Sequence, residues 1–454
     1  MFGKEIFNCG ALRNRYLPGG VIVMFSAILV MVSASGSRAE SKAVFLSAQR
    51  TESKLIEVAV PKFLFSGNDM ENFGERASKI INKDLRFTGY FKPNENYDFM
   101  QQAVMRDMRR GKVNFEEWRT LSSNFLIKGS MSFKKNDAIT VDIIVYDLQT
   151  TKIFFSKKYS GPRSIFRQII HQFSDDFFLR VSGERGVARS KIAFISKVSG
   201  RKELFVMDYD GSNPWAVTSD RSLTLLPDWS PTNNMILFTT YRYRNPDLYA
   251  IDLRSKTRFP ISRRIGLNSS GAWSPNGKNI AFSMSRRGNM EIYVSDANGS
   301  NLRRLTHSRA IETSPTWSPD GKRIAYTSDR AGSPQIYVMN VDGTGKRRIT
   351  YKGGYNDGAD WSPKGDTLAY ASLLGGNFNI ALVNINDQNV TQLTYDSSAN
   401  DSPSWSPFGR HITFSSNRSG SRNVYIMNSL GSNQTRISFG SGGGYSPTWG
   451  PVLR

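Results

Sequence analysis

Side chains able to do chemistry are sparse in these 454 residues, and their spacing is poor for it. There are three histidines, His171, His307 and His411, and one cysteine, Cys9. A serine hydrolase needs a nucleophile on a sharp turn with a base in reach, and no G-x-S-x-G elbow occurs. The histidines lack metal-ligand spacing, and each reads as a surface residue. "MDYDG" (Met207–Gly211) has a fragment of calcium-loop spacing without the twelve-residue ligand pattern, so it reads as a hairpin. A Gly-rich phosphate loop is also missing. The sequence therefore predicts no catalytic site, no cofactor and no metal site. What it leaves is chemistry of binding.

The strongest candidate for binding is set by a repeat. Tryptophans stand at 229, 273, 317, 361, 405 and 449, a step of 44 each time, within W-S-P motifs that degrade to Trp449-Gly450-Pro451. Other columns keep the step: Ile192-Ala193-Phe194 through Ile412-Thr413-Phe414, and Val217-Thr218 through Ile437-Ser438. Each repeat holds four short β-prone runs divided by turn residues, as in "WSPDGKRIAYTS" and "NVDGTG". Self-similarity at this period predicts a six-bladed all-β propeller, one four-stranded sheet per blade. Trp229, Trp273, Trp317, Trp361, Trp405 and Trp449 are its blade-core signature.

Closure follows from arithmetic. Residues 191–454 hold six repeats, yet the first lacks a tryptophan strand and the last lacks a hairpin partner. Pairing the C-terminal strand with the first blade supplies both, and removes exposed sheet edges. The connectors entering each blade converge at the channel mouth. Five and four residues before the tryptophans stand Asn268-Ser269, Glu312-Thr313, Asn356-Asp357 and Asn400-Asp401, beside Thr224-Leu225 and Gly444-Tyr445. The polar pairs are expected either to form an acidic recognition surface or to cap strand ends, as Asp and Asn do in any turn.

The remaining chain divides into three. Residues 1–39 carry Lys4, Arg13 and Arg15 ahead of "VIVMFSAILVMV" and a small-x-small site at Ser37 and Ala39, the layout of a cleaved export signal. Residues 40–54 read as a mobile arm, and 55–185 as a small N-terminal α/β (α+β) domain ahead of the propeller at 186–454. Net charge is +22, and +19 once the signal's +3 is removed. Such an excess favours an anionic partner, and export argues for envelope surfaces such as anionic peptidoglycan over nucleic acid.

The blade "PTWSPDGKRIAYTSDRAGSPQIYVMNVDGTGKRRIT", the junction "SGERGVARSKIAFIS" and the segments "VAVPKF" and "DLRFTGYF" together resemble the TolB family of the Tol–Pal cell-envelope system. The resemblance covers essentially the whole mature chain, although neither the strong basicity nor the arm matches a family motif. It implies a non-catalytic periplasmic adaptor, a monomer within a multi-protein envelope complex that supports outer-membrane integrity and constriction at cell division. It further implies that the channel-mouth pairs face the peptidoglycan-associated lipoprotein, Pal, and that residues 40–52 reach TolA. Two other readings compete: a wall- or carbohydrate-binding propeller lectin, and a propeller-gated serine peptidase, for which the chain shows no triad.

Overall fold

A computed structural model describes residues 55–452 except 68, 70, 135, 136, 286 and 287. The expected export signal and arm lie outside the described residues. No helix among those described is long and apolar enough to cross a membrane.

The front domain is a mixed sheet with helices on both faces. Its elements are β1 (Ile56–Ala59), β2 (Leu64–Ser66), α1 (Phe73–Thr88), β3 (Phe91–Pro93), α2 (Tyr97–Arg110), α3 (Phe115–Arg119), β4 (Phe125–Phe133), β5 (Ala138–Asp147), β6 (Lys152–Pro162) and α4 (Phe166–Ser182). The sheet order is β3-β1-β4-β5-β6, with β2 also on β4; β1 is parallel to β3 and β4, while β4, β5 and β6 form a meander. Alternation along the strands sorts the two cores. Val58 and Ile127 join Ile81, Phe173 and Phe177 of α1 and α4, while their neighbours Ala59 and Leu126 join Met100, Val104 and Trp118 of α2 and α3. The sequence reading missed α2. Its buried stripe is thin (Met100, Ala103 and Val104), and exposed Met105 and Met108 blur the helical period. Caps define it instead: the Asn96 side chain accepts from Phe99 N–H, and left-handed Gly111 ends it.

The rest is six four-stranded antiparallel sheets, so the expected six-bladed propeller is present. Five blades are consecutive, and the first combines Lys191–Val198, Arg201–Asp208 and Trp215–Ala216 with Tyr445–Trp449. Register across that seam places Trp449 opposite Ile192 and Tyr445 opposite Ile195. Gly450 N–H donates to Lys191 C=O at 2.8 Å, and the Trp449 indole donates to Ser190 Oγ at 2.8 Å across 259 residues of sequence. Trp449 also buries itself among Ile192, Phe194, Met207 and Ile426.

The six tryptophans are all buried between blades, each 7 % exposed or less. Four of their backbones are sewn to the preceding blade by the residue before that blade's own tryptophan. Trp273 N–H donates to Asp228, Trp405 N–H to Asp360, Trp449 N–H to Ser404 and Trp229 N–H to Thr448. The same stitch therefore crosses the closing seam. Glycine at 450 has a local cause: a Cβ there would come within 2.7 Å of the Trp229 ring.

The propeller has two unlike ends. Register puts the tryptophan end of every inner strand beside the turns that lead into the second strand, and the front domain sits at this end, the base. Tyr209 O–H donates to Asp84 of α1 at 2.6 Å, and His171 of α4 bonds the same carboxylate at 2.8 Å. Arg167 of α4 pairs with Asp208 and Asp210, and Lys83 of α1 adds a second cation to Asp210. Burial alone would raise the Asp210 carboxyl, but Arg167 and Lys83 hold it well below the usual range. Phe87 stacks on His411, with ring centroids 4.1 Å apart. Burial pushes the His411 imidazole down to about 4, although the Phe87 carbonyl partly offsets this. His171 and His411 are thus interface residues, correcting the expectation of surface histidines; only His307 is exposed. A lone histidine cannot announce an interface from sequence, because its partners sit on distant segments.

Two stability outcomes follow from the seam. Deleting residues 444–454 removes the innermost strand of the first blade, so calorimetric melting should lose the propeller transition as a whole; an unchanged profile contradicts the closure. Gly450→Ser restores the repeat's own residue, yet it should lower the melting temperature by several degrees, on the order of 1–3 kcal/mol of overpacking. An equal or higher melting temperature would show that the Trp229 contact is slack.

Candidate functional site

The end away from the front domain is the mouth, where inner strands begin and blade-to-blade connectors converge. Connector carbonyls and N–H groups there need partners, since irregular backbone satisfies itself only through side chains or water. A polar belt lies beneath the connectors, with one hydroxyl column repeated in five of the six blades and two glutamates that reach the connector backbone. Thr218, Thr306, Thr350, Thr394 and Ser438 accept through Oγ from the backbone N–H of Leu204, Ile292, Ile336, Ile380 and Val424. Glu203 takes N–H of Arg221 at 2.7 Å, and Glu291 takes N–H of Ser308 at 2.8 Å.

The pairs singled out from sequence divide against this belt. Asn268, Glu312, Asn356 and Asn400 are fully buried, as is Thr224, and the three amides are spent inside. Asn268 Nδ2 donates to the carbonyls of Pro246, Arg264 and Gly266; Asn356 serves Lys352 C=O and Gln335; Asn400 serves Ser398 C=O. Glu312 is sealed against Arg330. The expectation that these four face a partner is corrected, and for the three asparagines the capping alternative holds: they cap connector carbonyls, whereas Glu312 is taken by Arg330 and the Ser308 and Ser328 hydroxyls. Ser269 is also buried, bonded to Thr239 at 3.2 Å. Thr313, Asp357 and Asp401 stay half-buried at the mouth, but Asp357 accepts from Thr327 and Asp401 pairs with Arg422. Of these carboxylates, Glu312 and Asp401 are matched by arginines, and Asp357 is held by Thr327 and the Gly358 N–H.

Just inside the pairs, every inner strand breaks register. The residue three before each tryptophan is left-handed: Leu226, Ser270, Ser314, Gly358, Ser402 and Ser446, with φ between 44° and 62°. Five of these six carry a Cβ in a conformation that glycine adopts more readily. A bulge recurring at one depth around a channel re-aims side chains, and such features cluster at functional sites. Deeper still lie the residues preceding each tryptophan, Asp228, Ala272, Thr316, Asp360, Ser404 and Thr448. Sequence reasoning missed this column although it keeps the 44-residue step.

Asp228 and Asp360 stand in blades directly across the ring. Each is partly exposed toward the channel yet surrounded by protein on its other sides. Burial pushes Asp228 up to about 8, with repulsion from Asp360 adding to it against the Trp273 N–H bond. Burial likewise pushes Asp360 up to about 6. A raised value means that the folded chain holds the proton more tightly than the unfolded one. That stabilisation is complete below about pH 4 and is lost as pH rises through about 6 and then about 8. An Asp228→Asn/Asp360→Asn variant should therefore gain on the native protein between pH 4 and pH 8, by roughly 2–4 kcal/mol in urea denaturation. A difference that does not change with pH would mean that the carboxylates are hydrated.

Two family models match the chain. One, described as the TolB beta propeller domain, covers residues 178–453; the other, the TolB amino-terminal domain, covers 47–153. Among curated relatives, the Tol-Pal system protein TolB of Geobacter metallireducens is 41 % identical over 191 residues, 42 % of this chain and 43 % of its own. The protein of that name from Desulfosudis oleivorans is 33 % identical over 215 residues, 47 % of this chain and 49 % of its own. The chain thus spans half or less of the length of these curated relatives. The crystal structure of TolB from Acinetobacter baumannii superposes with a TM-score of 0.77 at 27 % identity, covering 88 % of this chain and 97 % of that one.

Proposed function

The chain belongs to the TolB family, and on that premise we propose that it is a non-catalytic periplasmic adaptor of the Tol–Pal system. Its propeller mouth binds the peptidoglycan-associated lipoprotein, Pal. Residues 40–52 reach TolA, and the assembly supports outer-membrane integrity and envelope constriction at division. The observation that carries this reading is the division of the propeller into two ends. The front domain is fixed against the base through buried ion pairs, while among the described residues no other element covers the mouth, which carries a bulge in every inner strand. An open end on a closed ring is a preformed docking surface.

The export-signal pattern in residues 1–39 and the relatives named for the Tol–Pal system support a periplasmic location. Catalysis has no support in the site. The carboxylates of Asp228 and Asp360 bond backbone N–H groups across the blade seams, a stitching role, and the two buried histidines hold the base.

Isothermal calorimetry of the mature protein with its cognate Pal is the direct test, with one-to-one binding expected. Asp357→Trp sets a bulky ring in the mouth and should weaken binding at least tenfold, about 1.4 kcal/mol. Lys364→Trp, at the base, should leave it unchanged. Binding lost in the second variant and kept in the first would move the interface to the other end.

A further inference from the structure

The six connectors at the mouth are alike in backbone and unlike in chemistry. In chain order, three consecutive connectors present Arg221, Arg264 and Arg309, and the next three present Tyr351, Tyr395 and Phe439. All six are exposed, the three rings by 62 %, 76 % and 72 %. Around a ring, this ordering gives one half that carries the arginines, with exposed Ile265 and Ile311 between them, and one half that carries the aromatic rings.

The basic half is more than a count of arginines. Hairpins of the first two blades add exposed Arg201 and Arg244 to the same end. Among the described residues, Arg201, Arg221, Arg244, Arg264 and Arg309 have no carboxylate within ion-pair reach, whereas the carboxylates of that half lie beneath them. Asp220 and Asp247 keep side-chain exposures of 6 % and 3 %, and are matched by Arg242 and Arg263. Surplus positive charge therefore faces outward. The turns at the base mix signs instead, with exposed Lys278, Lys322 and Lys364 beside Asp320, Asp366 and Asp387.

The aromatic half is held rather than loose. The Arg348 guanidinium lies 4.7 Å from the Tyr351 ring centroid, and Arg436 lies 5.4 Å from that of Phe439. Each of these arginines is fixed in turn by a bond to a carbonyl two residues on, and Tyr395 O–H donates to Gln392 C=O. Rings held this way lose little freedom when a partner covers them. The chain following two of them is glycine-rich, "KGGY" and "GSGG", with few groups to bond sugar hydroxyls. That favours apolar protein surface over glycan as the occupant.

A six-fold mouth would accept a partner in six rotational registers. We infer that the split mouth selects one of them: the partner brings an acidic patch to the basic half and an exposed apolar patch to the aromatic half. This rests on the reading of the mouth as the Pal site and specifies the chemistry of the surface that Pal presents. The two halves act on different rate constants. Unpaired surface charge steers encounter and is screened by salt, whereas burial of aromatic rings slows departure.

Association kinetics of the mature protein with soluble Pal, at rising salt, separate the two. Arg201→Glu/Arg264→Glu/Arg309→Glu should lower the association rate at least tenfold and flatten its salt dependence, with dissociation within about twofold of native. Tyr351→Ala/Tyr395→Ala/Phe439→Ala should raise the dissociation rate at least tenfold at a near-native association rate. All six side chains are exposed, so melting temperatures should stay near native. A native protein whose association ignores salt, or variant sets that change the same constant, overturns the inference while leaving the Pal reading standing. Failure of the native protein to bind Pal overturns both. Loss of binding to purified wall by the charge variant, with Pal kinetics unchanged, would assign the basic half to glycan and overturn it too.

Discussion

One antiparallel pairing, Tyr445–Trp449 against the strand beginning at Lys191, carries the rest of this structure. Without it the first blade has three strands, and the sheet edge at Lys191–Val198 stands open. With it, every blade packs between two neighbours, and the backbone of Trp229 receives from Thr448 the same stitch that Trp273, Trp405 and Trp449 receive elsewhere. The contact is costly in chain entropy because its strands lie so far apart in sequence. It closes last in any folding order that builds blades from local hairpins, and the mouth cannot take its shape until it has closed.

That mouth shows how a repeat makes a surface. The polar belt satisfies the connectors from inside, so carboxylates and amides are drawn down while long cationic side chains extend outward. A chain rich in arginine and lysine thereby presents a basic rim even where its sequence looks acidic. At the base the opposite solution holds. Carboxylates Asp208 and Asp210 are buried with their cations, Asp84 is buried against Tyr209 and His171, and the three bind two domains together. A buried pair of this kind resists the loss of one partner more than it adds net stability, so the base favours one fixed arrangement. We therefore regard the base as the fixed end and the mouth as the working end.

How much was legible beforehand differs by type of information. The 44-residue step carried blade number, strand order and closure, because each column reports the same local environment six times over. The tryptophan column behaved as core for that reason. The four buried residues of the mouth pairs were harder. Asn268, Glu312, Asn356 and Asn400 keep the period and read equally as a polar rim or as caps, and only the course of the connector shows that its carbonyls take the three amides while Arg330 takes Glu312. His171 and His411 were misplaced because their partners, Asp84 and Phe87, lie in a domain without any repeat. Helix α2 escaped for want of a clean stripe. Conversely, the ring that includes Asp228 and Asp360 was present in the columns and needed only to be read in register, whereas the arginines of three connectors stand one or two places off the column of Tyr351, Tyr395 and Phe439 and show only when whole connectors are compared.

The central claim is that this ring works through its mouth. Hydrogen exchange of the mature protein with and without bound Pal tests it most directly, because amides report position without substitution. The account predicts added protection in the connectors at 219–223, 263–267, 307–311, 351–355, 395–399 and 439–443, with none in the turns of the base. Protection confined to the base turns or to the front domain, with the connectors exchanging as in the free protein, would contradict it.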